Sequence, residues 1–506
     1  RLVGGDTVCI YGAQDGRAPG LKIRNFYNAP NLSESNPIRF INAGGQVVLG
    51  DNNTDTPVYV QNSRHLILSG TGVEGVTYGF LVDGENISSE GVKLSNRTSH
   101  IELDHWEISN VIKIGLHLRG HANCADASPP EGVSYRHVYD LDGDGFAQKG
   151  WILGYNFLNQ PIYDPGDVDD VLTQNNFTIR NISIHHNYVH DTGTEGMYLG
   201  QNMVDHLYRH DGSRGPAMGS KITCRYKNPN LPNDYQPSKD NQDDPLNSRI
   251  DGIQVYNNRF ENTGWDSINV KGGARRCAIY DNWITNYGWR ARQNGDTDQT
   301  NGIDTTPNVH CDVYRNVLLG GGGSGIFLYG VGGTVAHNLI VEAGTGGESG
   351  GKKTTGIEIA TPNTEEWDLT AWYQNDSFTV YNNTIVAPLT RAVRVKVPYS
   401  SHLLANNLAL HTLEPVQGEP TDFKVTANVI VLNNLYRDDV WAPGLALEDP
   451  SQHNYRPTSN SKLLLDAGND LTDEITSSPI FAVDLDKLPR VVGDHIDIGA
   501  YEGQWK

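Results

Sequence analysis

The feature that most constrains this chain is a short unit repeated in tandem and marked by asparagine. One copy reads Asn181-Ile-Ser-Ile-His-His-Asn187-Tyr-Val-His-Asp-Thr-Gly-Thr-Glu195-Gly-Met-Tyr-Leu. The next reads Gly252-Ile-Gln-Val-Tyr-Asn-Asn258-Arg-Phe-Glu-Asn-Thr-Gly-Trp-Asp266-Ser-Ile-Asn-Val. A third runs from Cys277 through Asn282 to Gly288 and, after an insertion, closes with Asn301-Gly-Ile-Asp304-Thr. In each, an alternating strand runs into an Asn, a second strand and a Gly turn follow, and a third strand ends the unit. The same slot is filled by Asn187, Asn258, Asn282, Asn316, Asn338, Asn383, Asn407 and Asn434, with tightest spacings of about 22 to 24 residues. Three strands rising roughly 3.3 Å per residue, with their turns, fit one turn of a three-sided coil of that length. An Asn at the bend tolerates a left-handed backbone and can hydrogen-bond to the Asn of the next coil. Repeats of this period mean a solenoid. The chain is therefore expected to be all-β, a right-handed parallel β-helix with inserted loops.

A solenoid lengthens without needing a new core, so the 506 residues do not count domains. We expect one body: an N-terminal cap and first coils over 1–100, central coils over 101–436, and a C-terminal coil and cap over 437–506. Acidic residues outnumber basic ones by 60 to 39, a formal charge of −21, which argues against nucleic-acid binding. A local Lys/Arg cluster can still hold a polyanion, because screening confines distant charges to a Debye length of about 8–10 Å. No apolar run approaches the roughly 20 residues of a membrane span. The start at Arg1 reads as a processed, secreted protein, expected to act as a monomer on a polysaccharide. Cys277 and Cys311 take equivalent slots in consecutive coils and are expected to stack as small apolar residues. Cys124 and Cys224 are the better candidates for a bridge.

Two long polar segments, 122–174 and 201–247, break the rhythm as inserted lobes, and 288–300 and 344–353 are shorter ones. Such loops wall a groove when they leave a solenoid on one side. Within the first lobe, Asp140-Leu-Asp142-Gly-Asp144-Gly has the alternating oxygen donors and turn Gly of a calcium loop, which makes structural Ca²⁺ a candidate cofactor. The acid expected at the twelfth position is replaced by Trp151, so an Asp/Gly turn is the alternative.

Aligning the third strands at Gly115, Gly196, Ser267, Gly302, Gly325, Gly356 and Ala392 gives the register of the chemistry. The position before them holds Ile114, Glu195, Asp266, Asn301, Ser324, Thr355 and Arg391. Two residues into the strand, the outward column reads His117, Tyr198, Asn269, Asp304, Phe327, Glu358 and Arg394. Two further on come Arg119, Gly200, Lys271, Thr306, Tyr329, Ala360 and Lys396. Strict alternation would turn Glu195 and Asp266 inward, so both are assigned to the bend. Stacked acids separate their pKa values, which acid–base catalysis exploits. The structural alternative is an acid that caps a turn. Glu195 and Asp266 are the candidate pair, with Asp304 in reserve and His117 beside them. One coil of separation, about 4.8 Å, favours retention over inversion if they cut a glycosidic bond. Arg119, Tyr198, Asn269 and Lys271 line the same face as candidate substrate contacts. Trp265, Trp283, Trp289 and Tyr329 are candidate sugar-stacking rings, with packing under an inserted loop as the alternative. Arg275 and Arg276, next to Lys271, are candidate anion ligands, with a solvated charge run as the alternative. His185, His186 and His190 alternate across a strand and its bend, so they do not read as a zinc set.

The repeats, together with the tail Ile496-Asp-Ile-Gly-Ala-Tyr-Glu, resemble the secreted bacterial right-handed parallel β-helix enzymes that depolymerise polysaccharides. These include pectin- and fucan-type hydrolases, alginate and chondroitin lyases, and uronan epimerases. The Gly-His-Gly and Arg-Ile-Lys elements of polygalacturonase-like hydrolases and the Asp-Pro-His-Asp element of alginate epimerases are absent. Asn53-Thr-Asp55 lies far from the acidic column. The resemblance implies an endo-acting glycoside hydrolase on an anionic, fucan-like glycan. The alternatives are a lyase with Lys271, His117 or Tyr198 as base and Arg119 on the uronate, and a non-catalytic carbohydrate-binding β-helix.

Overall fold

The computed structural model describes residues 2–119, 179–200, 250–290, 299–345, 354–360, 377–410 and 428–504 apart from short breaks. It also gives the backbone of strands Ile152–Tyr155, Pro161–Tyr163, His206–Tyr208, Arg214–Ala217 and Phe423–Val425. Asp140, Asp142, Asp144, Cys124 and Cys224 lie outside the described residues.

Three parallel sheets of 12, 11 and 11 strands wind along one axis as a parallel β-helix. Each coil contributes one strand to each sheet. In one coil these are Ile179–His185, Tyr188–Thr192 and Met197–Leu199; in the next, Ile250–Tyr256, Arg259–Thr263 and Ile268–Val270. Alternation sends one set of side chains inside, where Ile184, Val189, Met197, Val255, Phe260 and Ile268 are wholly buried. Each such apolar side chain stabilises the coil by about 1.5–3 kcal/mol. The segments 120–178 and 201–249 leave from the end of the third-sheet strand, whereas 291–298 and 346–353 precede it. The insertions thus enter at both edges of the third sheet.

The corner between the first and second sheets carries the asparagine ladder. Asn187 Nδ2 donates to Asn258 Oδ1 at 3.0 Å, Asn258 to Asn282 at 3.1 Å and Asn282 to Asn316 at 2.9 Å. The chain of bonds continues through Asn338, Asn383 and Asn407 to Asn434. Each Oδ1 also accepts the backbone N–H of the preceding rung, and each Nδ2 donates to a strand carbonyl of the coil before. The left-handed residue is not the ladder Asn, as the sequence led us to expect, but its predecessor. His186, Asn257, Asp281, Arg315, His337, Asn382, Asn406 and Asn433 all have φ between 42° and 56°. That residue makes the bend, and its αL backbone frees the following Asn to point inward.

Cys277 and Cys311 do not merely stack. They pair in register on neighbouring first-sheet strands and form a disulfide, with Cα atoms 4.5 Å apart. Cα atoms at one coil's spacing are close enough for a bridge. The C-terminal tail runs back along the ladder corner and uses the left-handed residues as anchors. Asn382 Nδ2 donates to the Asp497 carbonyl, Asn406 exchanges two bonds with Asn469, and Lys487 pairs with Asp281. Arg490, fully buried beneath it, donates to the carbonyls of Asp497 and Gly499.

Candidate active site

Third-sheet register brings the outward residues into one line. His117 pairs with Tyr198, Tyr198 with Asn269, Asn269 with Asp304, and the line continues through Phe327, Glu358 and Arg394. Above His117 the column extends to Lys93 and Tyr59. The two acids of the bend do lie beside this line. Gly115 N–H donates to the Glu195 carbonyl and Gly196 N–H to that of Asp266, which places the two acids on consecutive coils.

What the bend does with its side chains differs from a catalytic pair. Asp266 is fully buried; its Oδ1 accepts the Asn301 backbone N–H at 2.7 Å and its Oδ2 the Asn269 amide at 2.6 Å. Asn301 Oδ1 in turn accepts the Ser324 N–H, and Ser324 Oγ the Thr355 N–H. The bend column is thus a second side-chain ladder in which Asp266 is one rung, the turn-capping role. Asn301 also holds Asp304 Oδ2 at 2.8 Å. Burial first, then the Asp304 and Glu195 charges, push the Asp266 pKa well above its ordinary value, against the Asn301 bond and Lys271. Glu195 and Asp304 are buried as well. With both oxygens tied to neighbouring residues, Asp266 fills the turn-capping alternative.

A different constellation stands beside it, across four successive third-sheet strands. Glu90, at the start of Glu90–Ser95, accepts His117 Nδ1 at 2.7 Å and pairs with Lys93 Nζ at 2.9 Å. Burial opposes ionisation of Glu90, yet the bond and charge of His117, then those of Lys93, hold its pKa down to about 2. A carboxylate on Nδ1 fixes the imidazole and leaves Nε2 for proton exchange. The His117 ring meets the edge of Tyr198 at 5.2 Å, and Lys271 Nζ stands 5.0 Å over the Tyr198 ring. Tyr198 is half-buried and Arg119, two residues past His117, is exposed. Sequence reasoning missed Glu90. Its signal was its register opposite Ile114 in the bend column, one coil above the aligned repeats.

The remaining candidates divide. Tyr329 is half-buried two residues beyond Phe327 on the same sheet, with ring centroids 6.0 Å apart. Trp265 is half-buried in the bend next to Asp266, its carbonyl accepting from Thr263. Arg275 does not join the site. It is buried at the start of the first-sheet strand Arg275–Tyr280, because the chain turns out of the third sheet after Lys271, and its neighbour Arg276 pairs with Asp251. Among the described residues no helix is long and apolar enough to cross a membrane.

No protein-family profile and no curated protein matches this chain. Among solved structures it is similar to an alginate lyase from Paenibacillus sp. str. FPU-7, at 13% identity and a TM-score of 0.40, over 84% of this chain and 92% of that one. It is also similar to the pectate lyase Pel9A, at 11% identity and a TM-score of 0.40, over 96% of each chain.

Proposed function

We propose that the chain is a polysaccharide lyase that cleaves a uronate-containing glycan by β-elimination. The observation that carries this reading is the run Glu90–His117–Tyr198–Lys271, which sets a base, a proton donor and a cation side by side. Removing the proton on C5 of a uronate is difficult until the neighbouring carboxylate is neutralised. Exposed Arg119 supplies that charge, and the buried Lys271, whose Nζ lies over the Tyr198 ring, adds its field from beneath. His117 Nε2, held by Glu90, takes the C5 proton, and the electron pair forms the C4–C5 double bond as the C4–O4 bond breaks. Tyr198 gives its phenolic proton to the departing O4. Water then returns a proton to Tyr198 and removes one from His117.

The test is a panel of polyuronates, including alginate, pectate and chondroitin. A lyase raises ultraviolet absorbance from the new unsaturated uronate. Reducing ends that appear without absorbance would return the reading to a hydrolase, and no products would leave a carbohydrate-binding solenoid. His117→Ala and Tyr198→Phe should each lower turnover by roughly 10²–10⁴-fold.

A further inference from the structure

The first sheet carries its own outward column, on a face that the lyase reading does not use. Register aligns Ser69, Asp104, His185, Tyr256, Tyr280 and Tyr314 along it. From Tyr256 to Tyr314 the rings stack in parallel at 4.9 Å, and His185 lies on Tyr256 at 4.6 Å. Above His185 the column changes from aromatic to acidic. Asp104 sits one coil up, and Glu102 is two residues before it on the same strand, Ser99–Asp104. The carboxylate oxygens of Glu102 and Asp104 and an imidazole nitrogen of His185 all lie within 4.8 Å of one another.

We propose that Glu102, Asp104 and His185 bind one divalent transition-metal ion of the zinc class, which clamps two consecutive coils from outside. His185 Nε2 and Glu102 Oε1 are 3.4 Å apart. Two donors at about 2.0–2.1 Å from a tetrahedral ion stand about 3.3–3.4 Å from each other. Two carboxylates and an imidazole make three protein ligands and leave a position for water.

A ligand set needs outer partners that fix each donor, and these are present. His185 Nδ1 is 2.8 Å from His186 Nδ1. With His185 Nδ1–H as the donor in this contact and His186 Nδ1 as the acceptor, His185 Nε2 is left as the lone-pair donor. Asp104 Oδ1 takes bonds from Ser69 Oγ at 2.7 Å and His105 Nδ1 at 2.6 Å, which leaves Oδ2 for the ion. His105 and His186 stack on each other with planes 1° apart, so the outer imidazoles are themselves braced. Glu102 is the most exposed of the three donors, its side chain 43% exposed, so the cluster opens to solvent on its side. The cluster shares no residue with the Asp140–Asp144 motif.

The experiment uses the full, untagged chain stripped of metal, titrated with Zn²⁺ against a chromophoric indicator and followed by thermal melting. Wild type should bind one equivalent through these residues and melt at a higher temperature when loaded. Glu102→Gln and His185→Gln should each weaken that equivalent at least ten-fold. The metal-free melting temperature of Glu102→Gln should match wild type, which separates ligand loss from misfolding. Ca²⁺ in excess should not displace the zinc, because a hard ion gains little from imidazole. Affinity unchanged in both variants, no equivalent bound by wild type, or ready displacement by Ca²⁺ would each overturn the site.

Discussion

Replacing Asn316 by Ala tests how much of the fold the asparagine ladder carries. The residue is wholly buried and makes five bonds. Its Nδ2 donates to the Ile279 carbonyl at 2.9 Å, the Tyr314 carbonyl at 3.1 Å and Asn338 Oδ1 at 3.0 Å. Its Oδ1 accepts Asn282 N–H at 3.1 Å and Asn282 Nδ2 at 2.9 Å. Some partners have a second bond to fall back on. Asn282 Nδ2 keeps the Val255 carbonyl, Asn338 Oδ1 keeps the Asn316 N–H, and the Tyr314 carbonyl keeps Asp281 N–H. The Asn282 N–H and the Ile279 carbonyl lose the side-chain partner that Asn316 supplies, inside a coil that water does not reach. The Ile279 carbonyl belongs to the ladder between its strand and Cys311–Tyr314, so the group left without a partner is the Asn282 N–H, which costs about 1–3 kcal/mol. Asn434, the last rung, accepts the same pair of bonds from Asn407 but is only part-buried. Water can replace it, so Asn434→Ala should cost about half as much. Urea unfolding followed by far-ultraviolet circular dichroism gives both values. A cost below about 1 kcal/mol for Asn316→Ala, or equal costs at the two rungs, would refute the argument that buried pairing sets the magnitude.

Three further outcomes are expected. The depressed Glu90 pKa is a stability contribution that is complete above about pH 4.5 and is lost as pH falls toward about 2, worth about 3 kcal/mol; Glu90→Gln should flatten the acid limb of stability measured at about pH 5 and about pH 3. In the lyase reading Glu90 positions His117, so the same variant should shift the pH profile of turnover while leaving KM nearly unchanged. Replacing both Cys277 and Cys311 by Ala should lower stability by about 3–4 kcal/mol, from the closed loop of separation 34; peptide mapping under non-reducing conditions that finds both thiols free would dispose of that prediction.

The strand pattern and the register were legible because two small signals recur in phase. An Asn closes each first-sheet strand and, in most coils, a Gly opens each third-sheet strand, so both columns of the third sheet could be aligned by eye from His117 to Arg394. Depth was not legible. Asp266 and Asn301 occupy the bend that the alignment assigns them, but whether a bend side chain faces a groove or caps the next coil depends on backbone direction, which a repeat does not encode. Glu90 was invisible for a different reason, since its coil lacks the repeat's full motif. Arg275 looked like a neighbour of Lys271 in sequence, yet between them the chain changes sheets. The Cys277–Cys311 adjacency was read from the register; the bridge follows only from how near stacked Cα atoms come.

The asparagine ladder has a direction. Between rungs, every Asn from Asn187 to Asn407 donates to the Oδ1 of the next Asn toward the C-terminus and accepts from the N-terminal side, beginning with the Trp106 N–H on Asn187 Oδ1, while its second N–H bonds a strand carbonyl of the coil before. Amides aligned head to tail polarise one another. The arrangement also makes each coil the acceptor for the one synthesised before it. While the chain is emerging, the most recent rung holds donors that only the next coil can satisfy, and each arriving Asn closes the previous coil and opens a new vacancy. A truncation at an interior rung should leave a water-seeking end where the intact chain has a sealed one. The rungs are also indifferent to how much chain separates them, from 22 residues between Asn316 and Asn338 to 71 between Asn187 and Asn258. That indifference is what permits long segments to be spliced between coils, and it makes the inter-coil positions at the edges of the third sheet the natural places to graft new loops.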